Sequence, residues 1–333
     1  MRNFIFFLIL FLAVVFVFLS FSELRNIIDT LENSNWIFLS FAFLFECLCL
    51  FNASTIYRAI YHLVDLKESR KQLFLMTIAA NFVNVVAPSA GIGGMAVFLD
   101  NARRNNQPTG RVTVIGVLFV IYDYAAFLCV LALGLIVLVR RNNLTTGEII
   151  ATCVLLVIAA AVALILILGY KSSEKLGRVL AWFAHGINKV TRPFIHREYI
   201  QEEKAYGFAR DAAEGVALIR GKRKELIWPF LFALNSKALL ICVLAFTFLA
   251  LGTPFSVGTL VGGFSIGYLF LIVTPTPSGV GFVESILPVA LRSLRVPWAA
   301  AVLITLVYRG ITFWFPLLVG LITFRILHRQ SGR

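Results

Sequence analysis

The feature that most limits this chain is an apolar run long enough to cross a bilayer that cannot do so as one helix. It starts near Val257 and continues to about Leu291, and in its middle stands Thr274-Pro-Thr-Pro-Ser-Gly-Val-Gly-Phe-Val-Glu284. Proline lacks the backbone N–H and its ring clashes with the preceding turn, while glycine frees the backbone, so prolines and glycines at mid-run stop a helix. A weaker copy, Ala87-Pro-Ser-Ala-Gly-Ile-Gly-Gly94, interrupts the apolar run from Leu73 to Leu99. Paired interruptions in two halves of a membrane chain point to a binding site near the bilayer midplane. The two are therefore read as broken, re-entrant helical hairpins that face one another.

The bilayer itself follows from composition. Of 333 residues, 59% are hydrophobic and only 14% charged, against roughly 45–50% apolar in soluble domains. The chain reads as an all-α polytopic membrane protein. A β-barrel is excluded, because the apolar runs are continuous rather than alternating. The net charge of +13 would suit a nucleic acid, but the basic residues sit beside the spans, where the positive-inside rule and anionic headgroups account for them. No nucleic-acid partner is expected. The five cysteines (Cys47, Cys49, Cys129, Cys153, Cys242) fall in apolar segments without ligand-like spacing and read as small hydrophobes. The four histidines lie at span ends or in polar loops, so neither a metal nor another cofactor is expected.

Taken in order, Phe4 to Leu19 reads as a retained first span, with a cleaved signal peptide as the competitor; no small-residue cleavage site follows it. Trp36 to about Val64 is the second span, anchored by an interfacial tryptophan. Leu73 to Leu99 is flanked on both sides by basic residues and is placed as a hairpin entering and leaving on the inner face. Val112 to Val139 and Ile149 to Tyr170 are further spans, although Arg140 and Arg141 then fall outside, against the trend. Lys171 to Lys224 is the one sizeable polar stretch. Leu176, Val179, Leu180, Phe183 and Ile187 have helical spacing there, which suits a helix lying on the inner leaflet or an ordinary connector helix packed on protein. Leu226 to Ala250 spans outward, the second broken run enters from outside, and Pro297 to Ile326 returns inside. Both termini are expected on the cytoplasmic side of the plasma membrane. The whole chain, 1–333, forms one integral membrane domain with an inverted-topology repeat: about 36–139 and about 226–326, joined by the basic segment of about 171–225.

Glu46, Asp123, Lys237, Glu284 and Arg309 all sit inside apolar runs. A charge at mid-helix costs on the order of 2.5–3.5 kcal/mol on the insertion scale, so such residues face a partner or a cavity. One reading pairs acids of the first repeat with bases of the second, purely to hold the halves together. The other gives Arg309 and Lys237 an anionic headgroup to bind, Arg309 first because a planar guanidinium matches phosphate bidentately. Ser89 and Ser278 stand just after the breaks, where helix caps belong. The half-helices that follow would aim free N–H groups at mid-membrane as an anion site, with Gly91, Gly93, Gly279 and Gly281 letting phosphate approach the backbone. Plain kinks in long spans are the simpler alternative. Asn81 and Asn84, one turn apart, would add donors, and Tyr308 with Arg309 follows the second break much as Tyr122 with Asp123 follows the first.

These residues carry a resemblance. Pro277-Ser-Gly-Val-Gly-Phe-Val-Glu284 resembles the Pro-x-Gly-x-Gly-x-x-Glu element of the lysylphosphatidylglycerol synthase transmembrane-region family of flippase-like membrane proteins. Val307-Tyr-Arg309 resembles its Tyr-Arg element, and Ala87 to Gly94 its first-half counterpart; the likeness runs from about Asn3 to Leu327. Where the family often has two glycines after the proline, this chain has Ser278-Gly279. The resemblance implies movement of an anionic, aminoacylated or carrier-linked phospholipid between leaflets. It also implies that a chain ending at Arg333, without the family's soluble aminoacyltransferase domain, does not make the aminoacyl lipid itself.

The expectation is thus a lipid translocase, not an enzyme, with phosphate on Arg309 and Lys237 and with Glu284 balancing charge or contacting an amine. No Walker-type nucleotide sequence is present, so a gradient would drive transport, or it would be passive. The alternatives are a small-solute or ion transporter of the same repeat type, an intramembrane lipid-phosphate enzyme, and an accessory subunit of lipid-linked glycan or aminoacyl-lipid metabolism. A homo-oligomer is compatible with all of these.

Overall fold

The computed structural model describes residues 34–86, 93–140, 146–147, 149–154, 156–157, 160, 222, 224–274 and 276–330. Every regular element among them is helical: α1 (Trp36–Leu63), α2 (Arg70–Val86), α3 (Met95–Arg104), α4 (Thr109–Arg140), α5 (Ile227–Ala250), α6 (Val257–Val273), α7 (Phe282–Ser293), α8 (Trp298–Arg309) and α9 (Phe315–Gln330). A π-helical turn, Gly310–Trp314, joins α8 to α9, so Trp298–Leu327 forms one long apolar helix. That helix, α1, α4 and α5 are the described helices long and apolar enough to cross a membrane. The chain is a multi-pass membrane protein. The expected first span at Phe4 to Leu19, the later part of Ile149 to Tyr170, and the basic segment from Lys171 to Gly221 lie outside the described residues.

Local chemistry sets the helix ends. The Asn35 side chain accepts from Ile37 N at 3.1 Å and opens α1, and Ser256 accepts from Thr259 N at 3.1 Å and opens α6. Both satisfy backbone donors that a first turn leaves without partners.

Polar groups and small residues, rather than hydrophobicity alone, hold helices together where lipid is the surrounding solvent. Helices α1 and α5 run antiparallel and are tied along their length. Asn35 N donates to Ala250 O at one end. Further along, Asn52 Nδ2 donates to Phe232 O and to Ser236 Oγ, each at 2.7 Å. At the other end Lys222 Nζ donates to His62 O at 2.8 Å and pairs with Asp65. The hydrogen bond from Lys222 holds the Asp65 carboxyl below its ordinary range. Close approach at glycine sets two further contacts. A Cβ on Gly320 of α9 would lie 2.8 Å from Phe82 Cβ of α2, and one on Gly134 of α4 would overlap the Ser265 side chain of α6.

Both interruptions fall where the prolines and glycines stand. Thr274, the residue before Pro275, takes extended backbone (φ −74°, ψ 144°) and ends α6, as a residue ahead of proline must. A 3₁₀ turn, Pro277–Gly279, follows, and Ser278 (φ 50°), Gly279 (φ 68°) and Gly281 (φ 83°) are all left-handed. The chain turns there and starts α7, which packs back on α6. In the first half α2 ends at Val86 and α3 starts at Met95. The link between them, with Pro88, Ser89 and Gly91, lies outside the described residues. Its far side is fixed by Gly94 N, which donates to Asn84 Oδ1. A Cβ on Gly94 would sit 2.7 Å from Ala80 O, so α2 and α3 meet this closely only with glycine there.

Candidate functional site

Three of the four long apolar helices carry one charged residue close to the middle: Glu46 on α1, Asp123 on α4 and Lys237 on α5. The fourth, formed by α8 and α9, has Arg309 there. All four line a single cavity of about 430 Å³. Both interruptions border it as well: Asn81, Asn84 and Val85 from the end of α2, and Thr274, Thr276 and Ser278 from the second break.

The charges are organised as two ion pairs. Lys237, only 1% exposed, places Nζ 2.6 Å from Asp123 Oδ1. The same ammonium donates to Tyr268 Oη, and Tyr268 donates to Asp123 Oδ2 at 3.0 Å. This pair joins the two halves of the chain. Arg309, 3% exposed, places Nε 2.6 Å from Glu284 Oε1 and donates from Nη2 to Ser278 O at 3.0 Å. Its guanidinium also lies 4.5 Å from the Phe313 ring centroid, within cation–π range. Arg309 thus takes the acid of its own half, not one from the first half. It can do so because the second break swings Glu284 back toward α8.

The break corrects one expectation and bears on another. Ser278 is not a helix cap: it sits inside the 3₁₀ turn, and the cap of α7 is Gly281. At the N-terminus of α7, where the anion site was expected, Gly281 N donates to Glu284 Oε2 at 2.8 Å. A carboxylate three residues into the helix answers the positive end of its dipole, and the same carboxylate balances Arg309. Gly279 allows the close packing of the turn. A Cβ there would sit 2.6 Å from Val283 Cγ2 and 3.0 Å from Leu271 Cα.

These positions give an expected pair of opposite effects. Gly279→Ala forces both a left-handed alanine and a backbone clash, and should cost about 1–3 kcal/mol. Ser278→Gly removes a left-handed L-residue, which costs roughly 1–2 kcal/mol, partly offset by the freer unfolded glycine. It should therefore raise stability by about 0.5–1 kcal/mol. Thermal unfolding of the purified protein in detergent measures both. A stabilising Gly279→Ala would contradict this geometry.

Of the residues singled out in the sequence, Glu46, Asn84, Asp123, Lys237, Ser278 and Arg309 line the cavity. Glu284 reaches it through Arg309, and Tyr308 is buried beside Arg309 on α8. Gly279, Gly281 and Pro277 form the turn, and Gly93 closes the start of α3 by accepting from Ala96 N at 3.1 Å. Ser89 and Gly91 are outside the described residues. Glu46 stands apart from the pairs: it is 3% exposed, and its Oε2 has no hydrogen-bond partner among the described residues. Sequence reasoning missed Tyr268, the third member of the Lys237 pair. Its hydroxyl in the otherwise apolar Ile266–Val273 stretch was the available signal. Ser236 and Asn52, which lock α1 to α5 beside Lys237, were missed for the same reason.

The model for the lysylphosphatidylglycerol synthase TM region matches residues 4–320, nearly the whole chain. No curated protein and no solved structure gives a significant match.

Proposed function

Because the chain belongs to the lysylphosphatidylglycerol synthase transmembrane-region family, we propose that it moves an anionic, aminoacylated or carrier-linked phospholipid between leaflets, as a translocator and not an enzyme. One observation carries the reading: a single cavity bordered by both helix interruptions and by both buried cations. A guanidinium has five N–H donors and an ammonium three. The bonds to Glu284 and Ser278 use two on Arg309, and those to Asp123 and Tyr268 use two on Lys237. Arg309 therefore keeps three donors and Lys237 one for phosphate oxygens, while each carboxylate holds its cation in place. A cavity of about 430 Å³ lies within the roughly 300–1,000 Å³ of small-molecule pockets, enough for a lipid headgroup.

The same reading makes each interrupted segment part of an inverted repeat. It is supported by cross-packing: α2 of the first half lies on α9 of the second, and α6 of the second lies on α4 of the first. On this reading, and by the positive-inside rule, both termini lie on the cytoplasmic side of the plasma membrane. The size of the cavity also favours a second reading, transport of a small phosphorylated or anionic solute.

Vesicles of phosphatidylcholine with a trace of headgroup-labelled phosphatidylglycerol separate the two. With the protein inserted, a membrane-impermeant reductant should bleach the inner-leaflet label as well; in empty vesicles it bleaches only the outer. Bleaching no deeper than in empty vesicles, together with uptake of labelled inorganic phosphate, would transfer the function to the second reading.

A further inference from the structure

Among the described residues, charge balance in the cavity leaves one group over. Lys237 with Asp123 and Arg309 with Glu284 each sum to zero, and Glu46 remains. Its carboxyl is buried and lines the same cavity, with Oε2 unpartnered among the described residues. A lone ionised carboxylate in such surroundings is strongly disfavoured unless a partner or a proton answers its charge.

The neighbours of Glu46 do not change that balance. Helices α5, α2 and α4 and the π-helical turn pack on α1. From α5 the charged group is Lys237, from α4 it is Asp123, and just before the π-helical turn it is Arg309; all three are committed to the pairs above. Helix α2 brings Asn81 and Asn84 to the cavity, which carry no charge. Tyr308, and Cys47 and Cys49 on the same helix as Glu46, lie within Coulombic reach, and Tyr124 and Tyr268 also line the cavity. All are neutral hydroxyls or thiols near neutral pH.

We propose that Glu46 is a proton-binding site linked to occupancy of the cavity: an anionic headgroup enters the form in which Glu46 is protonated, and loss of that proton expels it. This rests on the anionic-lipid reading above. The charges require the direction. With Glu46 protonated, a monoanion brings the cavity from zero to one negative charge; with Glu46 ionised, it brings it from one to two, inside a low-dielectric wall. Binding therefore takes up a proton wherever the empty cavity has lost it, and a transmembrane pH difference becomes a source of energy for transport. No bond other than O–H is made or broken.

The test uses the full chain in phosphatidylcholine nanodiscs, with dihexanoyl phosphatidylglycerol and inorganic phosphate as separate probes, and Glu46→Gln as a mimic of the protonated state. Wild-type affinity should fall by up to about tenfold per pH unit on the alkaline side, the signature of one linked proton. Glu46→Gln should lack that slope and keep the wild type's thermal unfolding temperature. Infrared difference spectra should show a protonated carboxylic acid band in the empty wild type that is absent from Glu46→Gln. A slope that persists in Glu46→Gln, a wild type that binds with no slope, or a missing band overturns the proton site and leaves the lipid reading standing. If phosphate binds with a slope that Glu46→Gln removes and the lipid does not bind, the lipid reading fails and the proton site stands. If neither probe binds, the linkage fails as well.

Discussion

Arg309→Ala should cost about 3–5 kcal/mol of stability, because it strands Glu284 and leaves Ser278 O without its donor in a poorly solvated site. Arg309 is 3% exposed and Glu284 19%, so solvent relieves the abandoned carboxylate only in part. Arg309→Lys keeps the charge and a bond to Glu284 but cannot reach Ser278 O in the same fork, and should fall between the two, at about 1–2 kcal/mol. Stability alone does not separate a substrate contact from a structural pair. Arg309→Met combined with Glu284→Gln does so: a neutral glutamine still accepts from Gly281 N and no charge is left unpaired, so most of the stability should return. In the lipid-bleaching assay that double variant should move lipid at the rate of empty vesicles. A stable double variant with the wild-type rate would make this pair a structural brace and remove Arg309 from the lipid path.

Lys237→Ala is the second large effect, also about 3–5 kcal/mol, since it strands Asp123 and breaks the bond network of Tyr268 at the junction between halves. The partner substitution gives the contrast. Replacing both ends by apolar residues, Lys237→Met with Asp123→Leu, together with Tyr268→Phe to remove the hydroxyl they would otherwise strand, should bring stability to within about 1 kcal/mol of wild type or above it, because the desolvation of both ions disappears with them. The Lys237–Asp123 double-mutant cycle, run in the Tyr268→Phe background, should then show a coupling of at least about 2–3 kcal/mol, read from thermal or denaturant unfolding in detergent. Additive losses would mean that the 2.6 Å contact contributes nothing specific. The exchanged pair, Asp123→Lys with Lys237→Asp, keeps net charge but moves the ammonium from α5 to α4. It should recover part of the stability and little of the transport, because the donors would then point from the wrong wall of the cavity.

Some of this was legible in the chain as written. The prolines and glycines between Thr274 and Gly281 announced a break, because a missing N–H and a ring clash act within one helical turn and need no tertiary partner. The helix ends near Trp36, Leu63, Ile227 and Ala250 followed from unbroken apolar length, since the bilayer fixes how much apolar helix is needed to cross it. The charges at mid-span marked the site for the same reason: each is too costly to face lipid, so each had to turn inward.

What the sequence left open is which charge meets which. Asp123 and Lys237 are far apart in the chain, and only the packing of α4, α5 and α6 brings them together with Tyr268. Arg309 takes Glu284, not Glu46, because left-handed backbone at Ser278, Gly279 and Gly281 swings α7 back beside α8. That same turn makes Gly281 the helix cap and commits the cap's N–H to Glu284. Composition and local sterics therefore determined the membrane, the spans and the position of the second break. Pairing, capping and the lack of a partner for Glu46 among the described residues were decided by three-dimensional packing, because a Coulomb interaction depends on distance through space and the chain order does not encode it.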